Sequence, residues 1–222
     1  MTIVPDFDRS SVAPVQISTS RRAQGLGGSV LFWQSKLVAD VAGALLLVPV
    51  VIVLGALLLV LNPLFNPGPL IFRQRRMGRD CTSFVAFKFR TMTIASTVRG
   101  PDDPVEDQRI TPLGRILRRT GLDELPQVFN VLFGEMSLIG PRPDCIHHAE
   151  RFLAVIPEYR RRYCVRPGMS GLSQIRLGYV VGTEATRAKA VTDIEYIARA
   201  SFALDLWIVW RTFITVVTGR GD

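Results

Sequence analysis

The chain has 222 residues, 48% of them hydrophobic, and 27 Lys and Arg against 19 Asp and Glu give it a formal net charge of +8. That length suits one compact domain with an appendage rather than two full domains, while an apolar, basic chain points first to an anionic membrane surface and secondarily to nucleic acid or phosphorylated small molecules. The three cysteines, Cys81, Cys145 and Cys164, are odd in number and far apart, which excludes a disulfide framework or a zinc site and fits a reducing, cytoplasm-facing location.

Residues 1–29 are polar, with Arg21-Arg22 and a flexible GLGGSV but no sustained apolar periodicity, and read as a disordered tail without the apolar core of a secretory signal. A membrane-embedded helical segment is expected over residues 36–64. From Val41 to Leu61 no residue is charged or strongly polar, and a bilayer core requires about 20 such residues of a helix. Pro49 interrupts the backbone hydrogen bonding of this run and is expected to kink it. Arg21, Arg22 and Lys36 lie before the run and Arg73, Arg75, Arg76 and Arg79 after it, so the positive-inside tendency draws both flanks to the cytoplasm. A re-entrant hairpin satisfies both flanks; a spanning helix with a tolerated proline is the alternative.

Beyond the break NPLFNPGP, LIFRQRRMG and SFVAFKFRTM read as short strands, with Phe87 and Phe89 on one side and Lys88 and Arg90 on the other. The Pro- and acid-rich ASTVRGPDDPVEDQR reads as a surface loop. Thr111-Pro112 supplies an N-cap and first-turn proline for LGRILRRT, which Gly121 ends. A second helix opens near Leu122 to Pro126, placing Asp123 and Glu124 at its start. A turn around Pro141-Arg142-Pro143 precedes a helix from about Asp144 to Ala154, RPGMSGLSQI reads as a loop with a short strand, and one long helix is expected from about Ala185 to Val217. Its Trp207 and Trp210 fit either a membrane interface or core packing.

Acids in the first turn of a helix are commonly caps, and Thr120 to Asp123 fits the capping-box spacing. A helix start also stabilises an ionised carboxylate and attracts phosphate, which suits a carboxylate nucleophile at phosphorus. Repulsion from an anionic substrate would be offset by Mg²⁺, held by the neighbouring carboxylate and phosphate oxygens, and by cations drawn from Lys88, Arg90, Arg115, Arg118, Arg119 and Arg142. The bland alternatives are a solvated arginine patch and a rigid PRP turn. His147-His148 lack a third ligand at metal spacing and read as a partly exposed helix face. Neither a P-loop nor a nucleophilic-serine elbow is present.

The ordered set NPGPLIFRQRRMG, FKFRTM, TPLGRILRRTGLDELPQVFNVLFGEMSLIGPRPD, RPGMSGLSQI and SFALDLWIVWRT resembles the bacterial sugar transferase family, the monotopic phosphoglycosyl transferases, from about Lys36 to the C-terminus. The resemblance implies an α+β, predominantly helical monotopic membrane protein, with a re-entrant helix-break-helix element, short strands, interfacial amphipathic helices and a catalytic domain over residues 65–222 that faces the cytoplasm at the bacterial inner membrane. It implies transfer of a sugar 1-phosphate from a UDP-sugar to undecaprenyl phosphate, releasing UMP. Carried onto this chain, Asp123 would attack the β-phosphate, Glu124 would help hold Mg²⁺ beside it, and Arg118, Arg142 and Lys88 would bind the phosphates or nucleotide. Where many relatives carry Ser-Pro at the membrane break, this chain has Val48-Pro49, so the bend depends on Pro49 and its surroundings. Lys36 and Asp40 match a basic-then-acidic pattern, with Asp40 read as a hydrated interface acid or a cation's partner.

A membrane-tethered, non-catalytic binding module of a polysaccharide assembly complex is the competing reading, and a homo-oligomer is compatible with either. Nucleic-acid binding rests on charge alone and is not supported by any recognition module.

Overall fold

The structure is a computed structural model that describes residues 30–93, 107–178 and 180–218. The tail 1–29, with Arg21 and Arg22, and most of the loop expected before Thr111 lie outside the described residues.

Helix α1 (Val30–Phe65) is long and apolar enough to cross a membrane by length and composition. The helical run is continuous through Pro49 and Pro63, although each proline deletes one amide donor from it. Lys36, Asp40, Ala44, Val51, Leu58 and Asn62 form a buried stripe, while Leu46, Val53, Val60 and Leu64 are exposed on the outer side. Both halves of α1 contribute to the stripe, so the long apolar helix and the elements that follow it share one apolar core. Ala44, Val51 and Leu58 pack with Phe84, Phe89, Val128, Val131 and Met136.

The two ends of α1 are tied down by polar contacts. Near its start, Lys36 pairs with Asp40 and Asp205, and Asp40 accepts from Ser137 Oγ at 2.6 Å and Leu138 N at 3.2 Å. Asp40 is therefore buried against the domain, which corrects the hydrated-acid reading. At the other end, Asn62 donates to Gly68 O and Asn66 to Arg90 O.

Strands β1 (Ile71–Met77) and β2 (Ser83–Phe89) form the expected antiparallel hairpin, with Ile71 opposite Phe89 and Met77 opposite Ser83. Phe84 and Ala86 face inward on the side that also carries Lys88, whereas Phe89 turns to the other side and meets α1 near Gly55. This alternation delivers a lysine to the interior.

Helix α2 (Pro112–Arg119) starts as the sequence indicates, with Thr111 Oγ1 accepting from Gly114 N at 3.0 Å. Gly121 reverses the chain at φ 65°, a left-handed conformation in which glycine has no Cβ penalty. A 3₁₀ segment (Leu122–Gln127) follows and leads into the short α3 (Val128–Leu132). Strands β3 (Ser137–Ile139) and β4 (Gly168–Ser170) pair in parallel, flanking α4 (Ile146–Val155) and a 3₁₀ segment (Pro157–Cys164).

After α5 (Leu172–Leu177), the single C-terminal helix expected from the sequence is instead two, α6 (Thr183–Arg199) and α7 (Phe202–Thr218). Ser201 causes the division: its Oγ accepts from Leu204 N at 3.3 Å, an N-cap that starts a new helix. On α7, Asp205 and Ile208 are buried, while Leu206, Trp207, Trp210, Phe213 and Val217 remain exposed, so the tryptophans do not pack in the core.

Candidate active site

The 3₁₀ segment lies against β2 because the fully buried Asn130 of α3 acts as a side-chain splint. Its Oδ1 accepts from Phe87 N at 3.2 Å and its Nδ2 donates to Val85 O at 2.7 Å. Two main-chain groups on the free edge of β2 are thereby satisfied, and Lys88, the next residue along, reaches Glu124. No motif in the sequence marked Asn130; it becomes visible only once α3 is placed beside a strand edge.

Glu124 is held by two cations. Arg142 Nη1 donates to Oε2 at 2.7 Å, Arg142 Nη2 donates to Oε1, and Lys88 Nζ donates to Oε1 at 2.5 Å. Burial pushes the Glu124 carboxyl up, but Arg142 and Lys88 outweigh it and hold the group well below the usual carboxylate range. Lys88 itself is lowered by burial, with Glu124 pulling the other way.

Asp123 differs in every respect. It is only 7% exposed, yet among the described residues its carboxylate makes no hydrogen bond. The capping-box reading fails because Thr120 Oγ1 donates back to Ile116 O and Leu117 O rather than accepting from the 3₁₀ segment. Burial raises the Asp123 pKa to about 6, against the opposing pull of Lys88, Arg118 and Arg142. Successive residues on a 3₁₀ helix point about 120° apart, so one acid is clamped by its neighbours while the other stays unengaged beside them.

Arg118 is half-buried on α2, influences Asp123 electrostatically and forms no ion pair among the described residues. Arg76, counted in the sequence only as a flanking charge, belongs to the same cluster: Arg142 and Glu124 both act on it. Alternation along β1 could have placed it there, since Arg76 pairs with Phe84 of β2 and shares the hairpin with Lys88.

Arg90 is engaged away from the two acids. Its side chain donates to Pro69 O at 2.8 Å, Met92 O at 3.2 Å and Asn66 O, fastening the segment that follows α1. Spacing along β2 suggested a partner for Lys88; the structure assigns Arg90 to main-chain carbonyls instead, which an arginine fork satisfies well.

No group of three or more His, Cys, Asp or Glu among the described residues could hold a metal ion. Mg²⁺ commonly takes one or two carboxylates and completes its shell with phosphate oxygens and water. Asp123 and Glu124 fit an ion of that kind arriving with a diphosphate. They do not form a cage that would retain it alone.

A family model described as bacterial sugar transferase matches residues 32–219. The chain is 40% identical to the UDP-N-acetylgalactosamine-undecaprenyl-phosphate N-acetylgalactosaminephosphotransferase of Aeromonas hydrophila, over 82% of this chain and 43% of that protein. It is 42% identical to a UDP-glucose:undecaprenyl-phosphate glucose-1-phosphate transferase of Caulobacter vibrioides, over 82% of this chain and 70% of the relative. The exopolysaccharide production protein PSS of Rhizobium leguminosarum bv. phaseoli is 39% identical, over 80% of this chain and 92% of its own length. The chain thus spans less than half of the Aeromonas protein and nearly all of the Rhizobium one.

Proposed function

Because the chain belongs to the bacterial sugar transferase family, we propose that it transfers a sugar 1-phosphate from a UDP-sugar to undecaprenyl phosphate by way of an aspartyl phosphosugar, initiating assembly of an exopolysaccharide, capsule or other lipid-linked glycan. The observation that carries this reading is the pair of unlike acids: Asp123 buried and unengaged, Glu124 clamped by Lys88 and Arg142.

The geometry supports the chemistry as follows. Lys88, Arg76, Arg118 and Arg142 give the cluster more positive than negative charge, so a diphosphate is attracted even though two carboxylates are present. A carboxylate with raised pKa is a better nucleophile than an ordinary one, provided that it is ionised. An Asp123 Oδ attacks the β-phosphorus, the bond from that phosphorus to the bridging oxygen breaks, and UMP leaves carrying the electron pair. An oxygen of undecaprenyl phosphate then attacks the same phosphorus and the Asp123 carboxylate departs, leaving a lipid diphosphosugar. When bound by Asp123, Glu124 and phosphate oxygens, Mg²⁺ would neutralise charge on the diphosphate. Clamping Glu124 keeps its charge beside the reacting group without letting it compete as a nucleophile.

The contacts of α1 support a monotopic arrangement at the cytoplasmic face of the inner membrane. A straight spanning helix would carry one end about 30 Å from the domain, whereas both Lys36 and Asn66 contact domain residues. The exposed apolar side of α1 would meet lipid.

Purified full-length protein given UDP-sugar and undecaprenyl phosphate is expected to release UMP, and donor alone is expected to leave a hexose-phosphate adduct on the peptide containing Asp123. Turnover with no adduct on that peptide would overturn the intermediate. No turnover with any UDP-sugar in a panel would favour the binding-module alternative.

A further inference from the structure

Arg142 reaches Glu124 from a loop that cannot hold itself. In Pro141-Arg142-Pro143-Asp144 both prolines lack an amide hydrogen, and every carbonyl of the four residues is taken by a donor from elsewhere. Pro141 O accepts from Gly168 N at 2.9 Å and Asp144 O accepts from Met77 N at 3.0 Å. Pro143 O accepts from Arg76 Nη1 at 2.6 Å, and Arg142 O accepts from Arg162 Nη2 at 2.7 Å.

Arg162 is the most deeply buried of these donors, with a side chain wholly excluded from solvent. Its Nε lies 2.9 Å from Asp193 Oδ2, its Nη2 2.6 Å from the same oxygen, and its Nη1 donates to Asp144 Oδ2 and to Tyr159 Oη at 2.9 Å. The guanidinium also lies over the Tyr159 and Tyr163 rings at 4.9 Å and 5.3 Å. Tyr159 Oη donates in turn to Asp144 Oδ2, and Lys189 Nζ donates to Asp144 Oδ1 at 2.6 Å. Two acids and two bases balance here, so the cluster adds no net charge to the neighbouring anion site.

A buried ion network of this kind is weak support for stability in itself, since apolar residues of similar volume often serve as well. Its geometry has another use. Only a planar guanidinium fixed on several sides can hold one carbonyl oxygen while its other donors are engaged. We infer that Arg162, oriented by Asp193, Asp144 and Tyr159, is a positioning residue that sets Arg142 for phosphate binding. This rests on the proposed transferase reading, since it assigns Arg142 to the donor diphosphate.

The test uses full-length protein in detergent and follows UMP release, with UDP affinity measured separately. Arg162→Lys keeps the charge but loses the fork. It is expected to lower kcat/KM for the UDP-sugar by about 10–100-fold, to leave the KM for undecaprenyl phosphate unchanged, and to weaken UDP binding. Tyr159→Phe, a gentler change, should act in the same direction by a few-fold and remains informative where Arg162→Lys does not fold. Ile208→Val removes volume from a separate apolar cluster that contains none of the network residues, and is expected to lower Tm with donor KM unchanged.

Unchanged donor kinetics and UDP affinity in folded Arg162→Lys, or an equal donor defect in Ile208→Val, would overturn the inference. Wild-type protein that binds UDP but releases no UMP would instead sink the transferase reading, and the positioning role would then be read from UDP affinity.

Discussion

Lys36 Nζ stands 2.8 Å from Asp205 Oδ2, joining the start of the membrane helix to the C-terminal helix across 169 positions of sequence. Asp40 completes the group at 3.3 Å, and Tyr196 Oη donates to Asp205 Oδ1 at 2.7 Å. One lysine thus separates two buried acids. Lys36→Met is expected to cost about 3–5 kcal/mol, because breaking a buried pair leaves uncompensated charge. Thermal unfolding in detergent checks this; a loss under 1 kcal/mol would show the contact to be dispensable. Cysteine labelling on either side of α1 should modify both flanks from one side of the membrane, and opposite sides would reject the monotopic arrangement.

Asp123→Asn should abolish turnover while stabilising the fold at neutral pH. Burial raises the folded-state pKa of this acid to about 6, above the ordinary 3.8 of an aspartate. Between those values the native state binds more protons than the unfolded chain, so stability falls as pH rises through the window and stays lower above it. Removing the titration should raise stability above pH 6 by about 1–3 kcal/mol, with the gain vanishing below about pH 4. Denaturant titrations of both proteins across pH measure it. The same ionisation predicts that wild-type kcat/KM declines below about pH 6, where the nucleophile becomes protonated.

Glu124→Gln should lose stability as well as activity. The amide keeps an acceptor oxygen but leaves Lys88 and Arg142 crowded without a counter-charge, at a cost of about 2–3 kcal/mol. An activity loss of at least 100-fold is expected. A folded variant of wild-type stability would mean that the cations find another partner.

Arg90→Lys separates anchoring from phosphate binding. A lysine cannot reach three carbonyls in the positions occupied by the guanidinium, so Tm should fall, by the equivalent of about 1–3 kcal/mol, with donor KM within about two-fold of wild type. A donor KM raised ten-fold without loss of Tm would return Arg90 to the substrate-binding set.

The local elements were legible because their causes are local. The apolar run of α1, the alternation of β1 and β2, the Thr111-Pro112 helix start and the Gly121 reversal each depend on residues a few positions apart. The break at Ser201 was equally local, but its serine lay inside a long apolar pattern and was read through. Asp123 and Glu124 were legible as a motif, and Lys88 and Arg142 as their cations.

The division of labour within that motif was not legible. Nothing in DE distinguishes a buried acid without a hydrogen bond from one clamped by two cations; that depends on which side of a 3₁₀ turn faces β2 and on Asn130 holding the strand edge. Arg90 and Arg162 make the same point in opposite directions, one an expected substrate ligand that fastens main-chain carbonyls, the other an unremarked arginine behind Arg142. Sequence by itself determined the elements, the apolar anchor and the chemical types at the site, since propensity and periodicity act over a few residues. Tertiary structure alone decided the partners, burial and ionisation of each charge, because electrostatic energies depend on distance and solvent exposure between groups that the chain keeps far apart.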